Sequence, residues 1–470
     1  MPSDKFSRQL RQEAEQWRSE GLITASVYEQ LAQRYQFSNI ETAARNRFVV
    51  ILIGLGSLLL GLAIITFIAA NWQTWSRELK VTLLLGLFVS VNTSGFYLWR
   101  RPTPGWHRRL GQGLLLLGAL ILGANLALMS QLFHQSGLLY QLFLVWGLGV
   151  LTMAYSLRFT WLGILAILLM GSGYGQSLSA LTSIGEFFWL RVLVQYMPVL
   201  TGLMFIPLAY WCRSSWLFRL GAIAIVYSLE ASLIHLGLVN SPAWVVASAC
   251  ALPPALLWAY NDSLWVKHPL PVESFGRIAR TLAVSFLSFL FYVLSFHWIW
   301  QTSPILTGEE VSPLPWFVLS NLFVLGAVTI WEWLQLFPQL GVSLINRSQK
   351  VNPPVRGLLT NSVVGIMIVT SALITYWHLS ISSLPITAVW LFNLLLFLLA
   401  TGLIREGLSQ GQRRLFWGGM MLLTLQIFSR MLEYNIGLLF KSLVLFLCGV
   451  GVIAAGVWFE HYIKSGRVNS

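Results

Sequence analysis

Charge is what this sequence has least of. Only 10% of its 470 residues are Asp, Glu, Lys or Arg, where a soluble globular chain carries roughly 25%. So few charges could not clothe a water-exposed surface of this size, which excludes a soluble fold. Cysteine is scarce as well. Cys212, Cys250 and Cys448 lie in or beside apolar stretches, and an odd number so placed argues against a disulfide framework and a Cys-based zinc site. No phosphate-binding loop, no Gly-x-Gly-x-x-Gly ahead of a helix, no His-Glu-x-x-His and no Gly-x-Ser-x-Gly occurs. No reaction and no cofactor is therefore specified. Residues 1–47 contain no leading apolar region, so no cleaved secretory signal is expected and residues 48–70 act as a retained insertion signal.

What is present is 56% hydrophobic and 14% aromatic, with 22 tryptophans. The apolar residues arrive in blocks of about 20, the length a helix needs to cross about 30 Å of hydrocarbon. The blocks predict an all-α, polytopic transmembrane bundle of about fourteen spans. These are 48–70, 79–99, 110–130, 138–156, 159–176, 192–211, 216–237, 241–260, 278–300, 314–337, 359–378, 384–403, 414–433 and 437–459. The span at 159–176 is the weakest, because it ends in Gly171-Ser172-Gly173-Tyr174-Gly175, read as a flexible helix end.

The net charge of +13 follows the same frame. With the N-terminus in the cytoplasm, all 30 basic residues except Arg77, Lys80, Arg191, Arg430 and Lys441 fall in inner segments and their helix ends. That is the positive-inside pattern, and it implies a lipid bilayer rather than nucleic acid as the partner. Missing or adding one span would invert every later loop. The expected organisation is a cytoplasmic N-terminal hairpin (1–47), a transmembrane region (48–460) and a cytoplasmic tail (461–470). The outer loops are short, 301–313 among them, and leave no room for an extracytoplasmic domain.

Within residues 1–47, Phe6, Leu10, Ala14 and Trp17 follow helical spacing. Gly21 suits a left-handed helix cap. A second helix is expected from Ser26, where Ser26 and Glu29 match a capping box and Val27, Leu31 and Tyr35 continue an apolar stripe. Two helices this short are marginal alone, so they close on each other or dock on a partner.

These residues also carry a resemblance. Trp17-x-x-x-Gly21-Leu22-Ile23, then Tyr35, then a glycine-rich first span closing on Ala69-Ala70-Asn71-Trp72, resembles a bacterial multi-pass membrane protein family classed as domain of unknown function 2157. Gly123-Ala124-Asn125-Leu126-Ala127-Leu128 leading into Gln131-Leu132-Phe133-His134 is similar to that family, as is Trp146. Arg430-Met431-Leu432-Glu433-Tyr434 followed by Lys441-Ser442-Leu443 looks like a block in related proteins. The resemblance covers residues 10–160 and, more thinly, 414–460. It implies a bacterial inner membrane and no settled activity. It also implies a small membrane protein with an extracytoplasmic domain as a candidate partner.

Charged groups inside spans are costly and are functional candidates by default. Glu230 is the deepest acid. It reads either as a proton or cation carrier facing a cavity or as a hydrogen-bonded tie between helices. Arg430 and Glu433 share a helix face, with Lys441 just beyond the turn. They form either a site for an anionic substrate or headgroup, or a neutral pair pinning the last two helices while Lys441 reaches the interface. Glu332, between Trp331 and Trp333, fits an interfacial position. His134, His235, His297 and His378 fall near outer ends without i, i+4 pairing, so local hydrogen bonding is favoured over a metal site. Pro253 and Pro254 interrupt 241–260, and Pro198 and Pro207 interrupt 192–211. Broken helices build transporter sites, which makes spans six to eight the candidate translocation core. Gly54, Gly56, Gly61, Gly113, Gly118 and Gly123 are read as close-packing positions.

The leading expectation is transport or flipping of a small solute or lipid-linked substrate. Fourteen spans occur in lipid-linked sugar flippases, an analogy of architecture alone. The alternative is a non-transporting scaffold or sensor acting through the hairpin and a membrane-protein partner. An intramembrane enzyme ranks third.

Overall fold

The computed structural model describes residues 4–34, 74–101, 106–133, 137–178, 188–235, 242–262, 275–301, 315–336, 353–434 and 437–468, with single positions between 52 and 70. Among the described residues every regular element is helical. Ten helices are long and apolar enough to cross a membrane, or eleven if one bent pair counts as a span. The span expected at 48–70 falls largely outside the described residues, as do Gly54, Gly61, Tyr35 and His134. Each of the other thirteen expected spans coincides with a helix or a bent helix pair. The chain divides into two compact units, Met1–Leu138 and Leu139–Ser470.

The first unit opens with α1 (Asp4–Ser19) and α2 (Ala25–Arg34). Gly21 takes φ +75°, the left-handed region that glycine enters without a Cβ penalty. Leu22 N–H then donates to Trp17 O at 2.8 Å, closing the turn. Ala14 is fully buried. Tyr28 donates to Glu15 Oε1 at 3.3 Å and lies 5.3 Å beneath the Arg18 guanidinium. Two expectations are corrected. The second helix starts at Ala25, so Ser26 sits in its first turn and pairs with Thr24 Oγ1 at 3.0 Å instead of capping. Tyr28, not Val27, faces α1, and Val27 is exposed.

The unit continues with the antiparallel pair α3 (Arg77–Arg100) and α4 (Trp106–Leu132). Ser76 caps α3 by accepting from Leu79 N–H at 3.3 Å. Gly111, Gly118 and Asn125 recur at seven-residue spacing along the buried face of α4. A Cβ at Gly111 would stand 2.5 Å from Trp99 N and 2.8 Å from Gly95 O. Asn125 donates to Leu84 O at 3.0 Å, one helix bonding the backbone of the other. Gly118 packs on the Asn92 side chain as expected, but Gly113 and Gly56 meet open space. The close-packing seam runs through Gly95, Gly111 and Gly118.

The second unit comprises α5 (Leu139–Leu157), α6 (Thr160–Ser177), α7 (Phe188–Gln195), α8 (Met197–Cys212), α9 (Ser215–His235), α10 (Ala243–Ala259), α11 (Phe275–Leu294), α12 (Trp316–Leu336), α13 (Pro353–Ser380), α14 (Pro385–Gln410), α15 (Arg413–Glu433) and α16 (Leu438–Val468). A short 3-10 turn, His297–Trp300, follows α11. The supposedly flexible end of α6 is helical through Ser177. Tyr174 is 1% exposed and donates to Ser228 O of α9 at 3.0 Å. Its glycines serve contact: a Cβ at Gly173 would lie 3.0 Å from Phe143 Cβ, and one at Gly175 would lie 2.5 Å from Tyr227 Oη.

The proline expectations are also corrected. α8 runs unbroken through Pro207, and α10 through Pro253 and Pro254. The break falls at Tyr196, where α7 and α8 meet at 85°. Pro198 sits in the first turn of α8, where a missing N–H costs no intrahelical bond. A buried cluster built on Leu257, Ala283, Leu287, Phe291, Met367 and Phe392 joins α10, α11, α13 and α14. The outward faces are apolar, and exposed tryptophans such as Trp161, Trp216, Trp244, Trp316 and Trp377 mark helix ends. That distribution suits hydrocarbon flanked by interfacial aromatic belts.

The glycine seam gives a test. Gly111→Ala forces a Cβ onto backbone that cannot yield and should lower the thermal midpoint in detergent, the cost being about 1–3 kcal/mol. Gly113→Ala, in open space, should leave it unchanged or raise it. Equal effects would contradict the seam.

Candidate functional site

Three polar constellations lie in the second unit. The first centres on Glu230. Ala222, Val226 and Glu230 stand one turn apart on α9, and Ala222 and Val226 face the α10–α11–α13 core. Glu230 extends that stripe toward the end of α9. Its Oε1 is shut off from solvent and has no hydrogen-bond partner. It lies within electrostatic range of the buried thiol of Cys250 in α10. Thr375 of α13 approaches that sulfur at 3.9 Å and donates to Ser371 O at 2.8 Å. The hydrogen-bonded tie between helices therefore has no support at Oε1. Pro253 and Pro254 are buried one turn beyond Cys250. They remove the N–H groups that would otherwise bond the carbonyls of Ala249 and Cys250.

Near this end of α9, the α7–α8 break leaves the Gln195 carbonyl without a helical donor, and Asn321 of α12 supplies one at 2.7 Å. Asn321 Oδ1 and Thr201 Oγ1, both buried, have no partner. Apolar side chains surround them, among them Val199, Leu229, Leu233, Val318 and Leu322.

The second constellation lies where α8, α10 and α12 end. Tyr210 donates to Asp262 Oδ1 at 2.5 Å and pairs with Tyr260 Oη at 2.8 Å. Glu332 is 1% exposed, within electrostatic range of both tyrosines, and bonded by the Asn261 backbone. The expected interfacial setting is thus corrected: Trp331 is exposed, while Trp333 turns inward to donate to Ala255 O at 3.0 Å. Glu332 turns into the protein with Trp333. Sequence reasoning missed Tyr210, Tyr260 and Asp262. No spacing links them, and only the packing of α9 and α12 against both α8 and α10 unites them.

The third constellation is a brace. Arg430 of α15 donates to Ser295 O at 2.7 Å and Ser295 Oγ at 3.3 Å, pairs with Glu433, and lies 4.2 Å over the Phe296 ring. Glu433 Oε1 accepts from His297 N–H at 2.6 Å. Asn393 of α14 donates to the same Ser295 carbonyl at 3.2 Å, and Gln426 donates to Asn393 O at 2.9 Å. A cation thus meets the free carbonyl ending α11, and an anion meets the free N–H opening the 3-10 turn, as helix-end charges require. The pair does neutralise itself, but it pins α15 to the end of α11 and not to α16. Lys441 lies on α16 outside this network, and no residue of Leu438–Val457 is buried.

The structure therefore does not gather the candidates into one site. Glu230 lies near Cys250, one turn before Pro253 and Pro254 on α10, Arg430 and Glu433 form the brace, and Lys441 stands apart. His297 bonds Gln301 at 2.9 Å, and His378 accepts from Leu384 N–H at 3.0 Å. No group of three metal-binding side chains occurs among the described residues.

Residues 15–163 match a family described as Predicted membrane protein (DUF2157). The match covers the N-terminal hairpin turn, the α3–α4 pair and α5. Glu230, the α8–α10–α12 cluster and the Arg430 brace lie beyond it. Neither a curated protein nor a solved structure matches the chain.

The brace makes a firm prediction. Removing one partner strands the other charge, so Arg430→Met should cost about 3–5 kcal/mol. Arg430→Met with Glu433→Gln should cost clearly less than the sum of the two single changes. Additive losses in thermal unfolding would mean the charges act separately.

Proposed function

We propose that this membrane protein translocates a small solute or lipid-linked substrate, with Glu230 carrying a proton or cation during the cycle. The observation that carries the reading is the buried, unpartnered Oε1 of Glu230. Buried polar atoms in native proteins are satisfied with few exceptions, and an exception calls for an explanation. A carboxyl oxygen kept inside a span without a hydrogen bond is accounted for by a ligand it meets in turnover. The α7–α8 break and the unpartnered Asn321 Oδ1 and Thr201 Oγ1 place further uncommitted polar atoms near the same end of α9. Broken helices beside buried ionisable groups are a recurring way to build transport sites. In this reading the protein sits in a bacterial inner membrane with both termini cytoplasmic, as the distribution of basic residues suggests.

The competing reading is a scaffold or sensor working through the hairpin and a membrane partner. Leu22 and Val27, exposed on the hairpin at 68% and 41%, are what favours it.

Glu230→Gln separates the two. The change is nearly isosteric and removes no described hydrogen bond, so protein level and thermal midpoint should hold or improve. Potential-driven proton movement into proteoliposomes, read by a trapped pH dye, should be lost, together with rescue of a deletion strain. Removing residues 1–40 should have the milder effect. Full flux in Glu230→Gln with failure of the truncation would replace transport by the scaffold.

A further inference from the structure

The turn between α3 and α4 gathers positive charge that its surroundings in the chain do not balance. Arg100 and Arg101 close α3, and Arg108 and Arg109 stand in the opening turn of α4. Gly111 of α4 lies against the α3 backbone, since a Cβ there would stand 2.5 Å from Trp99 N. All four arginines leave the backbone within about one helical turn of that contact, and all four are exposed.

Residues 79–185 contain no Asp or Glu, and Glu78 lies at the opposite end of α3. Among the described residues none of the four arginines forms an ion pair. The helix end adds to the imbalance. Helix N-termini carry positive partial charge and favour acids in the first turn, yet α4 has none there and carries Arg108 and Arg109 instead. The α14–α15 turn is built differently: Arg405, Arg413 and Arg414 border it, but Glu406 stands among them. Topology accounts for the sign of charge at both turns. It does not account for the lack of any acid at the first.

A second observation concerns what the arginines lie against. Arg101 donates to Tyr97 Oη at 2.8 Å, with its guanidinium 4.6 Å from the centre of that ring. The Arg100 guanidinium stands 5.8 Å from the centre of the Phe96 ring. Phe96 and Tyr97 are 40% and 60% exposed, and Phe96 continues the exposed face of Leu85 and Val89 at helical spacing. Trp106, also exposed, suits the depth of the headgroups. Positive charge held beside a hydrocarbon-facing strip matches an amphiphile rather than a free ion.

We propose that the α3–α4 turn binds the headgroup phosphate of an anionic phospholipid, with an acyl chain along Phe96, Val89 and Leu85. Guanidinium groups take phosphate oxygens in pairs, and Arg108 and Arg109 offer them at the helix end where an anion is favoured. A zwitterionic headgroup brings its own cation and leaves the cluster unbalanced. The site lies in the first unit and is independent of the transport reading, which rests on Glu230.

The test uses the purified full-length chain in detergent, titrated with phosphatidylglycerol, the lipid retained per chain being counted by native mass spectrometry. Saturable retention is expected, well above that of phosphatidylcholine. Arg108→Gln with Arg109→Gln should raise the half-saturating concentration roughly 25-fold, about fivefold for each arginine. Arg100→Gln with Arg101→Gln should weaken retention likewise, a second variant should the first fail to fold. Arg405→Gln with Arg414→Gln removes the same charge from the α14–α15 turn and should leave retention unchanged. Phosphatidylglycerol should also raise the thermal midpoint of wild type and of the Arg405/Arg414 variant, but not of the Arg108/Arg109 variant. Equal retention of the two lipids, or equal losses in the variants of the two turns, would overturn the site. Full displacement by an equal concentration of inorganic phosphate would overturn it too, showing a free anion in place of a lipid.

Discussion

Every backbone amide and carbonyl of this protein must find its partner within the chain wherever hydrocarbon surrounds it, and the architecture follows from that requirement. Helices meet it internally along their length but not at their ends, where N–H and C=O groups remain open. Folding the second unit is then largely a matter of closing those ends. Arg430 and Asn393 close the carbonyl of Ser295, Glu433 closes the N–H of His297, and Asn321 closes the carbonyl of Gln195 at the broken helix. Trp300 and Trp333 do the same for Leu294 O and Ala255 O. Polar side chains in this protein are spent first on backbone.

That rule sorts the buried polar groups into two kinds. Arg430 and Glu433 look functional in a list of intramembrane charges, yet their contacts make them architectural. Glu230 is the reverse: its Oε1 closes no helix end and is kept out of solvent without a hydrogen bond.

Close approach between helices depends on a different economy. At Gly111, Gly147, Gly173 and Gly419 an added Cβ would strike a neighbouring helix within about 3 Å. Small residues matter here because lipid tails are as apolar as leucine, leaving packing and hydrogen bonds to hold helices together. Gly113 has the same composition and lies two residues from Gly111, yet it faces open space. Which glycine is essential depends on helix rotation, and spacing alone does not reveal it.

The sequence by itself determined the membrane location and the helical class, because a block of about 20 apolar residues has only one way to bury its backbone in hydrocarbon. It also placed the turn at Gly21 and the positions of the described spans, since these are local consequences of conformation and hydropathy, while several helix ends run six to nine residues from those expected. Tertiary structure decided the rest. Pro207, Pro253 and Pro254 stayed within helices while the chain broke at Tyr196, and the glycine-rich end of α6 became buried helix. Tyr210, Tyr260, Asp262 and Glu332 came together from three helices with no shared pattern. Such groupings depend on which faces of distant helices meet, and hydropathy, which marks each lipid-length segment only as apolar, carries no record of that.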